Sequence, residues 1–223
     1  MRFIGHLDVM RYFQKAIRRA GIDIAYSQGF SPHQIMSFAA PLSVGVTSLG
    51  EYMDIEVNSY DSLEMVKDSL NEQMAEGIEV LEVVLLPEKH QNAMAATKAA
   101  EYSIKMRSGY EPDFDWINEV VELFNEEHVF FLKETKKGEA TIDLKESVYN
   151  LEKEPDGLRV LVNASSGGNI KPGVIVESLY RKKGIELSKF ALLIERIDTF
   201  GEIETTDGIQ FVPLGKLYEA SNI

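Results

Sequence analysis

The chain has 223 residues, 44% hydrophobic and 26% charged, an ordinary globular composition with room for one large domain or two small ones. It has no cysteine, which excludes disulfides, thiolate nucleophiles, zinc–thiolate sites and cysteine-ligated iron–sulfur clusters, and fits a reducing, cytoplasmic setting. A net charge of −13 excludes a bulk basic surface for nucleic acid, and no apolar run approaches the ~20 residues that span a bilayer.

Residues 7–20 are predicted as a helix. Met10, Phe13 and Ile17 recur at the spacing of one buried face, and Arg11, Lys15 and Arg18 recur on another. Asp8 suits the helix start, as a cap or as a first-turn acid, and Gly21 its end. Ile24 to Tyr26 reads as extended and Ser27 to Pro32 as a loop. Strands are expected at Ile35 to Ala39 and, by alternation, at Tyr52 to Val57. Leu63, Val66, Leu70 and Met74 mark a second amphipathic helix, closed by Gly77, and Ile78 to Leu86 reads as a further strand. Residues 88–100 are polar and alanine-rich, a linker that is helical in part.

A second round follows. Strands are predicted at Tyr102 to Met106, Val129 to Glu134, Ala140 to Leu151, Leu158 to Asn163 and Leu192 to Phe200. Helices are predicted at Phe114 to Phe124 and Pro172 to Lys183, the latter opened by a proline and stopped by Gly184. Each half approximates strand–helix–strand–strand–helix–strand, the split βαβ order. The expected class is α+β with two ferredoxin-like units: 1–87, a linker over 88–100, and 101–223. The second half holds one strand more than the pattern needs. In the first the opening strand is almost absent from the sequence given, where only Arg2-Phe3-Ile4 precedes the helix; either the strand is lacking or its residues lie upstream of Met1. Polar residues at His6, Asp8 and Arg11 argue against a secretory signal at this end.

Charge is distributed unevenly. Residues 1–50 carry five basic against two acidic residues, a balance of +3, which leaves −16 for the remainder. From Ile24 through Gly50 there is no Asp, Glu, Lys or Arg. That asymmetry points to a local basic site on an acidic body.

Three clusters are candidates for chemistry. The first is the helix face of Arg11, Lys15 and Arg18, with Arg19 at its edge, beside the loop carrying Tyr26, Phe30 and His33. Basic side chains meet phosphates, and exposed aromatic rings stack on unpaired bases. The opposing reading is a solvated helix face plus core aromatics. The second is His6, Asp8 and His33, a set able to do acid–base chemistry or to form a two-His, one-carboxylate metal site. Its spacing is not diagnostic, and a helix cap with a turn-bonded histidine accounts for it as well. The third is the turn Ser165-Ser166-Gly167-Gly168-Asn169 before Lys171 and Pro172, where backbone N–H groups of Gly167 and Gly168 are expected to face an anion. It matches neither a Walker loop nor a dinucleotide fingerprint. The acidic sets Glu119, Glu122, Glu126, Glu127 and Glu51, Asp54, Glu56 read as solvated faces, so no metal or cofactor is expected.

The run Phe3-Ile4-Gly5-His6-Leu7-Asp8, then Arg18-Arg19-Ala20-Gly21, then Ala25 through His33, resembles the bacterial radical-SAM-linked proteins, a domain of unknown function. The similarity continues through Ser37 to Leu42 and Val44-Gly45-Val46 to Ser48 and Glu51, is dense over residues 3–57, and returns at Gly168 to Pro172. Members occur beside or fused behind a cobalamin-binding radical-SAM enzyme, with genes near those for a ribonuclease and ribosomal proteins. The resemblance implies an accessory role with a radical-SAM partner. Without cysteine this chain cannot hold that partner's cluster. Three functions follow as expectations: a non-catalytic RNA-binding or substrate-presenting module, an RNA-cleaving or RNA-modifying enzyme using His6 and His33, or a protein-docking subunit without RNA contact.

Overall fold

The computed structural model describes residues 3–135, 138–206 and 208–220. The chain separates into two compact units: residues 1–47, 51–96 and 201–223, and residues 48–50 and 97–200. Residues 201–206 and 208–220 thus group with the first unit, where the sequence partition placed them in the second.

The first unit begins with α1 (His6–Arg19), with Asp8 in its first turn and Arg18 and Arg19 in its last, charges that suit the helix dipole. The helix closes in a Schellman arrangement, Ile22 N–H to Ile17 O and Gly21 N–H to Arg18 O, both at 3.3 Å. Gly21 takes φ +70°, a conformation that disfavours side chains. Short strands follow: β1 (Asp23–Ile24), β2 (Met36–Phe38), β3 (Thr47–Ser48), β4 (Met53–Ile55) and β5 (Val57–Ser59). β1 pairs β5 and β2 pairs β4, both antiparallel. α2 (Leu63–Asn71) starts on Ser62, whose Oγ accepts the Met65 N–H at 3.1 Å. Ile17, Ile24, Val66 and Leu70 form the buried centre, so the predicted apolar faces of both helices meet over the strands.

Residues 78–86 form no strand, contrary to the alternating reading. The Asn71 side chain takes the Val80 N–H at 2.8 Å and donates to the Val80 carbonyl at 2.9 Å, standing in for a ladder. Inward-facing residues then recur at 80, 83 and 86, every third position rather than every second. Residues 88–100 are no simple linker. α3 (Ala93–Ala96) buries Ala93 and Ala96, and the Ala93 N–H donates to Asp54 at 2.5 Å. Asp54 therefore leaves the set of solvated acids. Its burial pushes its pKa up, against the opposing Ala93 N–H and His90.

In the second unit, β6 (Ala99–Met106) leads into α4 (Trp116–Leu123), capped by Asp115, which accepts the Asn118 N–H at 3.1 Å. β7 (Phe130–Thr135) and β8 (Gly138–Asp143) form a separate hairpin, two strands beyond the pattern where the sequence reading had one. A 3-10 turn at Leu144–Glu146, with Leu144 fully buried, splits the single strand expected over 140–151 and opens β9 (Val148–Glu154). β10 (Gly157–Asn163), α5 (Gly173–Lys182) and β11 (Leu192–Thr205) complete the order. The sheet runs β11-β6-β10-β9 with every neighbour antiparallel, and Ile104, Leu158, Val160, Val162, Ile175 and Val176 are fully buried. α4 packs on α5, where Lys183 pairs with Glu119 at 2.6 Å. Past residue 200, β11 pairs β12 (Gly208–Pro213), and α6 (Leu217–Ala220) follows; Val212, Leu214 and Leu217 join Ala39, Ala93 and Ala96 in a second core of the first unit.

At the base of the hairpin, Asp143 accepts from His128 Nδ1 at 2.7 Å and from the Val129 and Lys145 N–H groups. Desolvation works to raise its pKa, but these bonds outweigh it and hold Asp143 below the ordinary carboxylate range. A carboxylate depressed on folding stabilises fully above its unfolded pKa, and that contribution is lost as pH falls through the folded value. Asp143→Asn is expected to lower stability near neutral pH and to converge with the native chain on acidification. Urea unfolding at a series of pH values reads the difference; parallel curves would contradict it.

Candidate nucleic-acid interface

The α1 register puts Arg11, Lys15 and Arg18 on its exposed side, opposite the buried Ile17. Arg11 reaches Asp8 at 3.4 Å, both side chains two-thirds exposed, so that pair is weak. Asp8 makes no side-chain cap, since Gly5 holds the cap position; it is a first-turn acid. Among the described residues Lys15 and Arg18 make no ion pair or side-chain hydrogen bond. Arg19 is differently engaged: its Nε donates to Gln73 Oε1 at 3.2 Å and its Nη2 to the Gln73 carbonyl at 3.3 Å. Tyr12 works beside it, accepting the Ala75 N–H at 2.6 Å. Arg19 therefore ties α1 to the chain just after α2.

The loop after β1 is clasped at its neck. Tyr26 and Gln34 form an antiparallel bridge, the Ser27 N–H donates to the His33 carbonyl at 2.9 Å, and Ser27 Oγ bonds His33 Nδ1 at 2.8 Å. Gly29 turns the tip at φ +115° and throws Phe30 wholly into solvent, while Tyr26 is 45% exposed. Gln34, only 4% exposed, donates through Nε2 to the Gln14 carbonyl at 3.3 Å. In an α-helix that carbonyl also faces the N–H of residue 18. The root of the loop is thus anchored on α1 between Gln14 and Arg18. Ser27, Gln14 and Gln34 escaped the sequence reading because their roles are hydrogen bonds without a spacing signature.

Gly29→Ala is expected to cost about 1–3 kcal/mol at this backbone conformation. The check is amide exchange: protection of Ser27 should fall while that of α1 persists, and unchanged Ser27 protection would show the turn to be indifferent to a side chain.

His6 lies edge-on to Phe38, ring centroids 5.4 Å apart. His33 is bonded to Ser27 and Asp8 to Arg11. Among the described residues no three His, Asp or Glu side chains are placed to hold a metal ion together.

In the glycine-rich turn before α5, one of the two donors expected to face an anion, the Gly168 N–H, bonds within the turn. The Gly168 and Asn169 N–H groups bond the Ser165 carbonyl at 3.3 and 3.0 Å, and the Ile170 N–H bonds the Asn163 carbonyl at 3.2 Å. Asn163 Oδ1 takes the Ser165 N–H and hydroxyl at 2.9 and 2.7 Å. Gly168 is needed there because a Cβ would collide with the Asn163 amide. Three of the turn's N–H groups close on the turn itself, and Lys171 is exposed beside it.

No curated protein matches the chain. Among solved structures, a chain of a Cbf5-Nop10-Gar1 complex is similar over 89% of this chain, with 11% identity and a TM-score of 0.45; this chain spans 46% of that one. No described helix is long and apolar enough to cross a membrane. The family model described as "Uncharacterized protein conserved in bacteria (DUF2344)" matches residues 1–172, more than three-quarters of the length, and the chain belongs to that family.

Proposed function

We propose that this protein is a non-catalytic RNA-binding or substrate-presenting module that works beside a radical-SAM enzyme. One observation carries the reading. Lys15 and Arg18 stand exposed and uncommitted on α1, at the place where buried Gln34 anchors the loop that projects Phe30. Cations for phosphate and a free ring for a base are the two elements of single-stranded RNA binding. The acidic remainder of the chain limits contact to a few phosphates at a shaped site. The radical-SAM partner rests on the resemblance carried by residues 3–57.

The fold is read in the same way. The β11-β6-β10-β9 order corresponds to strands 4-1-3-2 of a split βαβ, with the β7–β8 hairpin inserted, which supports a ferredoxin-like second unit. The helix–strand–strand–helix order of the first unit supports a second copy of the same pattern from its first helix onward.

Crosslinking in cells, followed by identification of both bound RNA and bound protein, tests the proposal. Recovery of an RNA together with a radical-SAM protein is the expected result. A radical-SAM protein without RNA would favour the docking subunit. Cleavage of RNA by the purified chain, lost in His6→Ala or His33→Ala, would favour the enzyme.

A further inference from the structure

We propose that the outer face of the β7–β8 hairpin docks a partner protein through an arginine laid on the Phe130 ring. The ladder sets Phe130 opposite Asp143 and Leu132 opposite Thr141, and side chains alternate between the two faces of a strand. Phe131 and Ile142 therefore share the inner face, where Phe131 is buried. Phe130, Leu132, Glu139 and Thr141 share the outer face, and all four are exposed. The Phe130 ring is also held in place. His128 stacks on it, with centroids 5.3 Å and planes 17° apart, and His128 Nδ1 donates to Asp143 at 2.7 Å. So fixed, the ring is still 66% exposed, and Leu132 beside it is 42% exposed.

The inner face shows what such a ring takes. The Arg181 guanidinium lies 4.2 Å from the Phe131 centroid. Its Nε donates to Glu177 at 3.0 Å and its Nη1 to the Leu132 carbonyl at 2.9 Å. Ring, carboxylate and strand carbonyl together hold one planar cation. On the outer face the ring and the carboxylates recur without the cation. Glu127 lies 3.9 Å from His128 Nε2, Asp143 stands opposite Phe130, and Glu139 is diagonal to Leu132. Among the described residues that face carries no Lys or Arg; Lys133 turns the other way, its Nζ donating to the Asn169 carbonyl at 3.3 Å.

Charge decides the occupant. Carboxylates around an apolar strip repel the phosphates of a nucleic acid and attract a cation. A guanidinium suits the ring better than an ammonium, because it is planar, stacks on aromatic faces and is weakly hydrated. Leu132 beside the ring needs apolar neighbours of that arginine, which a polypeptide supplies. The surface owes nothing to the α1 face, so this proposal and the RNA reading fail separately.

The test uses the full chain and three synthetic peptides of about seven residues, within ordinary strand length. Each has a central Arg, Lys or Glu between two Leu, with Gly and Ser at the ends. NMR signals of Phe130, Leu132 and Thr141 report binding. The Arg peptide should shift them saturably, the Lys peptide should bind more weakly, and the Glu peptide should not bind. Phe130→Leu keeps an apolar side chain and should weaken the Arg peptide about two- to fivefold, the scale of an exposed cation–π contact. Glu127→Gln with Glu139→Gln should weaken both cationic peptides. These positions are exposed, so amide exchange of α5 should not change in any variant. No shift with the Arg peptide, equal shifts with the Glu peptide, or full Arg-peptide binding in Phe130→Leu would each overturn the proposal. So would the same shifts produced by a single-stranded oligonucleotide, or by raising the protein concentration alone, which would assign the face to nucleic acid or to a second copy.

Discussion

Replacing Arg11, Lys15 and Arg18 together by Ala should remove most of the salt dependence of RNA binding and leave the fold intact. Each neutralised phosphate contributes roughly −0.7 to −0.9 to the slope of log affinity against log salt, so three contacts give a slope of about −2 to −3. Single replacements should each reduce it by about one unit and weaken all sequences alike. Arg11→Ala should have the smallest effect, because Asp8 already shares that charge at 3.4 Å. Stability should hardly move. The side chains are exposed, alanine favours the helix, and only Arg18 has a last-turn role, of about 0.3–1 kcal/mol. Phe30→Ala and Tyr26→Ala should behave differently, losing about 1–3 kcal/mol of binding with little change of slope, as lost stacking does. Anisotropy titrations of a labelled RNA over a range of KCl concentrations separate the two kinds of variant. Unchanged binding in the triple variant would remove the α1 face from the proposed function.

Gly157→Ala should clearly destabilise the second unit. Gly157 opens β10, is buried, and pairs with Lys105 of β6. A Cβ there would collide with the Ile104 carbonyl oxygen, and would sit 3.2 Å from the Ile104 carbonyl carbon and 3.0 Å from Lys105 Cγ. The obstacle is the backbone of a central strand, not a movable side chain. Relief requires displacing β10 from β6, and with it Leu158, Val160 and Val162, all fully buried. Overpacking of this kind costs about 1–3 kcal/mol or more. At about 2–4 °C per kcal/mol for a chain of this size, thermal unfolding should show a clear drop. Gly201→Ala serves as the comparison. Its Cβ meets mainly the flexible Leu217 side chain, at 2.7 Å, so its loss should be smaller. If both variants melt alike, the backbone collision at Gly157 is not the limiting one.

What the sequence determined by itself is local. Periodicity located α1, and Gly21 marked its end because a left-handed residue is needed there. The alternation of Leu158, Val160 and Val162 announced a strand with one buried face, and the +3 balance of the first fifty residues marked the exposed basic side of α1. Each of these is a property of a few neighbouring residues, so a short window contains it. Other features depended on partners far along the chain. Residues 78–86 have a strand's composition but no ladder, because Asn71 occupies Val80 and no described strand lies alongside. Ala93 and Ala96 became core because Asp54, 39 residues earlier, receives the Ala93 N–H. Arg19 found its hydrogen-bond partner in Gln73, and the N–H groups of Gly168, Asn169 and Ile170 turned inward onto Ser165 and Asn163. The loop bearing Phe30 met α1 through Gln34, a buried amide whose bond to Gln14 spans 20 residues. A polar group's partner is chosen by whichever donors and acceptors the folded chain brings within about 3 Å. That choice belongs to the tertiary structure, whereas periodicity, turn chemistry and charge balance are already complete in the sequence.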